Sequence, residues 1–384
     1  MCHIALDAAS IEQALNECLA QGPDFGLLAL LPEAEKERLP LLQATCRERA
    51  VPLVGGIFPA LIVDRQFVRQ GGWLLPMAPM PCHFLIPALN SGDVSAAEKI
   101  AAEVRRALSS QPPALAKPTL FLAFDSMVPN IASILDDLYL ALANRVEYAG
   151  INVGSETFQP MPCLFDASQV FADGVLGLLL PGDVATTLTH GFTQPERAMS
   201  ATSTQGNRVD MIDWRPAFDV YQEVIKAEYG IDLTADNFYQ YAVHYPFGIL
   251  RANGDVVVRV PVALTDDGAL LCVGEVPENT MLVLLKAPDA DANGCIAQLA
   301  SQLRLELWLD HGALLGEQLL TFYCAGRRMH LGDAAENELA LLQAETNVAV
   351  MAGALSLGEI GSTSRGGYPM FHNASLVCRP WTMR

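Results

Sequence analysis

The stretch GALSLGEIGSTSRGGYPMFHN, residues 353–373, places glycines, one acidic residue and a His-Asn pair between two apolar runs. Residues 351–357 alternate loosely, as in a buried strand, and residues 376–378 are typical of a strand that returns beside it. Glycines let the backbone approach a ligand or another strand closely. We therefore predict that this segment is a loop that holds a ligand around Glu359.

The composition is that of a folded protein with an acidic surface. Of the 384 residues, 51% are hydrophobic and 17% are charged, and the length favours two domains. The 43 acidic and 24 basic side chains give a net charge of −19. Nucleic acids and anionic membranes attract Lys and Arg, so we expect neither as a partner.

The N-terminal sequence is unlike a secretory signal, because it lacks a basic region and is interrupted by Asp7 and Glu12. No apolar run approaches the roughly 20 residues that cross a bilayer. We expect a cytoplasmic protein. The oligomeric state is open, and a homo-oligomer is compatible with the sequence.

The nine cysteines are scattered without a CxxC pair, so reduced thiols are expected and no local zinc site is indicated. Cys272 and Cys324 lie in apolar runs, where cysteine usually serves as a small buried hydrophobe. Cys163 lies beside two prolines and is the best candidate for an exposed thiol.

Helix-like and strand-like stretches alternate, which predicts a layered α/β fold with mixed sheets. Predicted helices cover residues 11–20, 33–50, 94–109, 130–144, 214–228, 291–303 and 333–344. Predicted strands cover residues 25–31, 51–54, 118–124, 147–151 and 319–324.

Three glycine-bearing segments are loosely similar, namely residues 55–60, 150–155 and 353–358. Each follows a helix-strand unit. They are candidates for equivalent turns of a repeated unit.

A polar, Ser/Thr-rich stretch follows Phe192 and predicts a junction between two domains, 1–205 and 206–384. In the second domain, residues 256–285 read as an antiparallel meander with a turn at residues 266–268.

The second part resembles the C-terminal domain of the FIST sensory family. The matching motifs, in order, are MIDWRPAFDVYQEV, YPFGILRANGDVVVRVPVALTDDGALLCVGEVPENTMLVL, CAGRRMHLG with its Cys-x-x-Arg, and the Gly-Glu-Ile and His-Asn of residues 353–373. In the first part DFGLLALL, PLVGGIFPALI, AGINVGSE, DGVLGLLLPGD and HGF follow the order of the FIST N-terminal domain. At residues 55–62 the small polar residues usual in the family are replaced by Ile57, Phe58 and Pro59.

The resemblance implies a ligand-sensing, bacterial type of signal-transduction protein that passes its state to a separate histidine kinase or cyclic-di-GMP enzyme. Two ligand classes follow from it: a small metabolite such as an amino acid, and haem in the subgroup that senses nitric oxide. The apolar loop at residues 55–62 favours haem, because a porphyrin requires an apolar slot and one axial histidine.

His244 is the preferred haem and metal ligand, because it precedes a proline turn among aromatic residues. Tyr245, Pro246 and Phe58 would complete that cofactor site, and Tyr245 and Cys324 are weaker alternatives as iron ligands. A core histidine bonded to the backbone is the competing interpretation of His244.

Small-molecule ligands would be bound at positions that match the family motifs. A buried Glu359 requires a partner, and Arg327 or Arg259 is expected to pair with it or with a ligand carboxylate. The competing interpretation of Glu359 is that it caps backbone amides of the loop. The predicted ligand-binding residues are Glu359, Ser356, Arg327, His372, Asn373 and His190.

Catalytic motifs are not found: the sequence has no GxSxG, GxxxxGK[ST], HExxH or GxGxxG in the required context. Carboxylate pairs such as Asp136-Asp137 fall on a solvated helix face. We expect a sensor, with an uncharacterised enzyme as the remaining alternative.

Overall fold

A computed structural model describes residues 1–22, 24–110, 117–182, 186–252, 254–286, 294–310, 318–362 and 367–381. These residues form an α/β fold with mixed sheets, as predicted. Four sheets are found in this part of the chain, three of them six-stranded and one antiparallel. Among the helices described, none is long and apolar enough to cross a membrane.

The three six-stranded sheets belong to three repeats of one unit. The first repeat contains β1 (Cys2–Ile4), α1 (Ala8–Gln21), β2 (Gly26–Pro32), a 3-10 helix (Glu33–Arg38), α2 (Leu39–Glu48), β3 (Leu53–Phe58), β4 (Leu61–Val63), β5 (Gln66–Val68) and β6 (Gly72–Met77). The second contains β7 (His83–Ile86), α3 (Ala96–Ser110), β8 (Thr119–Asp125), α4 (Ile131–Leu142), a 3-10 turn (Ala143–Arg145), β9 (Glu147–Val153), β10 (Leu164–Asp166), β11 (Val170–Phe171) and β12 (Val175–Leu180).

The third repeat begins with β13 (Thr187–Thr189) and is interrupted by an inserted domain. The insertion contains β14 (Ala198–Gln205), β15 (Arg208–Ile212), β16 (Arg215–Pro216), α5 (Ala217–Tyr229), α6 (Phe238–Ala242), β17 (Phe247–Leu250), β18 (Val256–Arg259), β19 (Pro261–Leu264), β20 (Leu270–Cys272) and β21 (Thr280–Leu284). The repeat continues with α7 (Gly294–Asp310), β22 (Gln318–Cys324), α8 (Ala325–Leu331), α9 (Ala334–Thr346), β23 (Val350–Ser356), β24 (Glu359–Gly361), β25 (Met370–His372) and β26 (Leu376–Trp381).

Each repeat places two parallel strands at the centre of its sheet: β2 beside β3, β8 beside β9, and β22 beside β23. The last strand of each repeat (β6, β12 or β26) pairs antiparallel with the first of the two parallel strands (β2, β8 or β22). The opening strand of the repeat (β1, β7 or β13) then pairs with that last strand. The remaining hairpin of each repeat, β4–β5, β10–β11 or β24–β25, leaves its own sheet.

The hairpins are exchanged in a cycle. The hairpin β10–β11 of the second repeat extends the first sheet at β3, and β24–β25 of the third extends the second sheet at β9. The hairpin β4–β5 of the first repeat extends the third sheet at β23. Every sheet is therefore completed by backbone hydrogen bonds to a neighbouring repeat.

The glycine-bearing segments are equivalent, as predicted, but their first glycines lie within β3, β9 and β23 rather than in turns. Gly55, Gly150 and Gly353 lie opposite Ala29, Leu122 and Thr321 on the neighbouring parallel strand. A Cβ atom at these glycines would stand 2.2, 2.2 and 1.7 Å from the carbonyl oxygens of those three residues. The strands approach too closely there for any side chain.

The core lies where the three sheets face each other. One phenylalanine from each repeat meets there, with the ring centre of Phe322 lying 5.9 Å from that of Phe58 and 5.8 Å from that of Phe121. The helices cover the outer faces. Because both faces are covered, strands such as β2 are apolar throughout and fully buried.

The inserted domain is a strongly curved antiparallel sheet. Its strand order is β18-β17-β21-β14-β15-β20-β19, so that β18 and β19 lie at opposite ends although only Val260 separates them in the chain. The sheet therefore curls until its two edges approach each other. Helix α5 packs against it through Val220, Tyr221 and Val224.

Most predicted elements are confirmed, with three differences. The described residues of the segment 353–373 include the end of β23 and the strands β24 and β25, whereas a ligand-holding loop was predicted. Residues 256–285 form the predicted β19–β20 hairpin, with Gly268 at a φ of +82° in its turn, but not a simple meander, because β18 pairs with β17 and β21 lies between β17 and β14. The predicted helix at residues 291–303 begins outside the described residues and is seen from Gly294.

Candidate functional site

A pocket of about 350 Å³ opens at the carboxyl ends of the parallel strands β9, β22 and β23. Its floor includes Cys324, Leu357 and Asn373. Its walls are valines, Pro261 and Tyr239 of the inserted domain and residues of α8. The described lining residues are Glu156, Phe158, Tyr239, Val243, Val260, Pro261, Val262, Val273, Cys324, Ala325, Gly326, Met329, Leu357 and Asn373.

The rim of the pocket is apolar and open to solvent. Tyr239 is 59% exposed and Met329 is 52% exposed. The acidic Glu156 on the rim is ion-paired with Arg69 at 2.6 Å. Glu156 and Phe158 precede residue 205, whereas the other lining residues follow it, so the pocket is lined from both halves of the chain.

Glu359 lies behind the pocket floor and is completely buried. Its Oε1 accepts a hydrogen bond from the Ser356 hydroxyl at 2.5 Å, and its Oε2 accepts bonds from the Ser375 hydroxyl at 2.7 Å and the Ser375 N–H at 3.3 Å. Burial raises the pKa of the Glu359 carboxyl to about 7, although these bonds and one from the Cys324 thiol act in the opposite direction. A proton can therefore bind here near neutral pH.

His372 lies directly opposite Glu359 in the hairpin β24–β25, so both side chains are on the same face. It is completely buried, and neither ring nitrogen has a hydrogen-bond partner among the residues that the structure describes. Its ring stacks on that of His190 at 6.3 Å. Burial, and secondarily the charge of Arg327, lowers the pKa of His190 to about 4, and burial lowers that of His372 well below 6.5.

The two buried arginines do not pair with Glu359, contrary to the sequence prediction. Arg327 forms a bidentate ion pair with Glu338, with Nη2 2.7 Å from Oε1 and Nε 2.8 Å from Oε2. Arg259 donates to the backbone carbonyls of Glu275 and Phe371 at 2.8 and 2.7 Å. Both guanidinium groups crosslink elements of the fold and are not directed at a ligand anion.

Cys324 ends β22 and lies at the pocket floor, where the residue is 4% exposed. The sulfur accepts the Ala374 N–H at 3.1 Å. Burial, and then the neighbouring Glu359, raises the pKa of the thiol. The prediction that Cys163 is exposed is wrong, since this residue is buried in the central core between the first two repeats.

The four residues predicted to hold haem are not brought together around the pocket. The Nδ1 of His244 lies 2.5 Å from the Nδ1 of His330, and the Tyr245 ring packs on Tyr229 at 4.4 Å. Pro246 is buried, and its carbonyl accepts the Leu285 N–H. Phe58 is in the central core and stacks on Phe322.

The six residues predicted to bind a small molecule do cluster, but as a buried network rather than as a pocket lining. Asn373 alone of them is among the described lining residues. Its Oδ1 accepts the Val260 N–H at 3.4 Å, and Arg327 donates to the His190 carbonyl at 2.5 Å. Sequence reasoning missed most of the real lining. Phe158, Tyr239 and Val243 belong to no motif, and apolar motif residues such as Val260 and Met329 carry no polar group that would mark them as ligand-binding. The Cys-x-x-Arg motif did mark Cys324, and the strand end predicted there is confirmed.

Comparison with known protein families gives two matches. Residues 12–215 match the FIST N domain, and residues 217–362 match the FIST C domain. The matches meet between residues 215 and 217, whereas the predicted division was 205/206, a position in the turn between β14 and β15. A search of curated proteins gives no match. The chain belongs to the FIST family, whose N and C domains together characterise signal-transduction sensors of small ligands.

Proposed function

We propose that this protein is a receptor that binds an uncharged, mainly apolar small molecule in the pocket between its two halves and signals to a separate protein. The observation that carries the proposal is the pocket itself. Its volume of about 350 Å³ is in the range of small-molecule sites, roughly 300–1,000 Å³. It also lies at the carboxyl ends of parallel strands, where α/β proteins usually bind ligands.

The charge of the pocket supports an uncharged ligand. No described lining residue is basic, and the only charged one, Glu156, is already paired with Arg69, so the lining offers no charge that would bind an anion. The two buried arginines that would suit a carboxylate are already occupied by Glu338 and by backbone carbonyls. Among the ligand classes implied by the resemblance, free amino acids therefore fit this pocket poorly.

Haem also fits poorly. The described lining residues include no histidine, and His244 faces His330 instead. Within the described residues, no group of three or more His, Cys, Asp or Glu side chains could hold a metal ion. Haem binding and nitric-oxide sensing remain predictions from the resemblance alone.

Gly326 offers a test of the pocket. A Cβ atom there would meet only the Cys324 sulfur, at 3.8 Å, so a larger side chain would extend into the cavity. Gly326→Ala and Gly326→Leu should both stabilise α8, by up to about 1 kcal/mol, because glycine is a poor helix former. Only the leucine should fill the pocket and abolish ligand binding.

The measurement is a thermal-shift screen of neutral and carboxylate-bearing aromatic compounds against the wild type and both variants. A bound ligand raises the melting temperature by mass action. We expect neutral compounds to shift the wild type and Gly326→Ala, and to leave Gly326→Leu unchanged. Equal shifts in Gly326→Leu would place the ligand elsewhere, and a preference for carboxylates would contradict the proposed ligand class.

The protein that receives the signal is proposed from the resemblance to the FIST family. A separate histidine kinase or cyclic-di-GMP enzyme would recognise the change in the receptor, and the net charge of −19 favours a basic contact surface on that partner.

A further inference from the structure

We propose that Cys324 is a covalent attachment site for an apolar α,β-unsaturated carbonyl compound, and that Glu359 accepts the proton of its thiol. The inference rests on the proposed ligand pocket and names the class of molecule that it takes. Four observations support it: the position of the sulfur, the donors around it, the polar residues behind it and an unsatisfied histidine beside them.

The sulfur is directed at the pocket. Cys324 lines the floor, and its Sγ is 3.8 Å from the position of a Cβ atom on Gly326, another lining residue. A molecule that fills the pocket would therefore lie against the thiol. The cysteine carries no disulfide.

Backbone N–H groups surround the sulfur. The Ala374 N–H donates to it at 3.1 Å, and the backbone of Arg327 and Gly326 also provides hydrogen bonds. In the second repeat the equivalent strand end carries Asp125, whose carboxylate accepts the N–H of Asp173 at 2.7 Å. The same backbone geometry thus holds a carboxylate in one repeat and a thiol in another. Because burial and Glu359 together raise the pKa of the thiol, the sulfur requires Glu359 to take its proton as it reacts.

The residues behind the sulfur are polar in this repeat alone. Three equivalent positions carry Phe58, Leu61 and Val68 in the first repeat, Val153, Leu164 and Phe171 in the second, and Ser356, Glu359 and His372 in the third. The first two repeats show that the fold accepts apolar side chains at all three positions. Burying a carboxyl group there costs free energy, so a role outside folding explains it better.

His372 adds an unsatisfied polar group to this cluster. It is completely buried beside Glu359, and both of its ring nitrogens lack a partner among the described residues. Buried polar atoms are nearly always hydrogen-bonded, and the exceptions commonly mark functional sites. The neighbouring Asn373 reaches the pocket, which connects the cluster to the ligand.

The proposed step is a conjugate addition. The Cys324 thiol gives its proton to the Glu359 carboxylate as the sulfur forms a bond to the β-carbon of the ligand. The electron pair of the carbon–carbon double bond moves to the α-carbon and carbonyl oxygen, giving an enolate. Glu359 returns the proton to the α-carbon, so the adduct contains all atoms of both reactants and no oxidant is required.

Mass spectrometry with trans-cinnamaldehyde as the probe tests the proposal. We expect one added probe molecule per wild-type chain, located by peptide mapping at Cys324, and none at that position in Cys324→Ser. Glu359→Gln keeps a hydrogen-bonding side chain but cannot accept the proton, so labelling should slow by about 100-fold. Cys18, a partly exposed thiol outside the pocket, is the internal control for indiscriminate alkylation.

3-Phenylpropanal, which lacks the double bond, separates this proposal from the proposed function. It should raise the melting temperature of the wild type without forming a stable adduct, and it should have no effect on Gly326→Leu. Binding of 3-phenylpropanal together with an unlabelled Cys324 under cinnamaldehyde would overturn the attachment site and leave the receptor intact. Labelling of Cys18 in preference to Cys324, or an unchanged rate in Glu359→Gln, would also overturn it.

Discussion

At the residue scale, the main surprise is how Glu359 is accommodated. A buried carboxylate was expected to need an arginine, and two buried arginines are nearby in the fold. The structure uses both to crosslink other elements and gives Glu359 two serine hydroxyls and one backbone N–H. None of these partners is a cation, so burial has the largest effect on the pKa of Glu359. The carboxyl therefore keeps its proton up to about pH 7.

Glu359 should therefore make stability depend on pH. Its pKa is about 7 in the folded protein, against an ordinary value of 4.5. Between these values the folded state holds a proton that the unfolded state releases. The contribution of Glu359 to the free energy of unfolding is thus complete below about pH 4.5 and is lost as the pH rises through about 7.

Two buried histidines make stability depend on pH in the opposite direction. His190 and His372 have lowered pKa values, so their contribution is lost as the pH falls below about 6.5. Comparison with Glu359→Gln isolates the carboxyl. We expect the free energy of unfolding of the wild type, minus that of the variant, to fall steadily between pH 4.5 and 7 in urea titrations. A constant difference would show that Glu359 ionises normally, and a rising one would show that folding lowers its pKa; either would contradict the prediction.

At the scale of elements, the close pairing of parallel strands explains the glycines. Gly353 lies opposite Thr321, where the two backbones leave no room for a Cβ atom. The same arrangement at Gly55 and Gly150 explains why the sequence showed three similar segments. Their similarity is imposed by strand packing, and ligand binding is not needed to account for it.

Gly353→Ala should consequently destabilise the protein by about 3 kcal/mol, because its Cβ would stand 1.7 Å from the Thr321 oxygen and force β22 and β23 apart. Gly22→Ala is the matched control, since no atom lies within 4 Å of its Cβ position. Urea denaturation of both variants measures the difference. Equal stabilities would mean that β22 and β23 can separate at little cost.

At the scale of the whole molecule, the cyclic exchange of hairpins makes the two halves depend on each other. The first half supplies β4–β5 to the third sheet, and the second half supplies β24–β25 to the second sheet. Residues 1–205 alone would leave the edge of β9 unpaired, and residues 206–384 alone would lack β4–β5 and β13. Exposed edges of this kind promote aggregation.

We expect that neither fragment, 1–205 or 206–384, folds by itself, and that the two assemble when produced together. Circular dichroism during thermal unfolding measures cooperativity for each fragment, and co-purification through a tag on one fragment measures assembly. The intact chain is the control. Cooperative unfolding of either isolated fragment would show that it is an autonomous domain and that hairpin exchange is dispensable.

Local sequence patterns determined the helices and strands of this protein. The apolar run of β2 identifies it as a buried strand from its own residues. The three repeated glycine segments are likewise recognisable in the sequence, because close strand pairing requires glycine at those positions. The motifs also identified Glu359, Ser356, His372, Asn373, His190 and Arg327, which do form one cluster.

Only the tertiary structure decided what these residues do. Whether Arg327 meets Glu359 or Glu338, and whether Phe58 faces a ligand or the central core, depends on contacts between distant segments. The same holds for the pocket, whose walls come from both halves of the chain. Contacts between side chains of distant segments leave no periodic signal in the sequence. The sequence pattern therefore specified the helices and strands, whereas the packing of those elements specified the site.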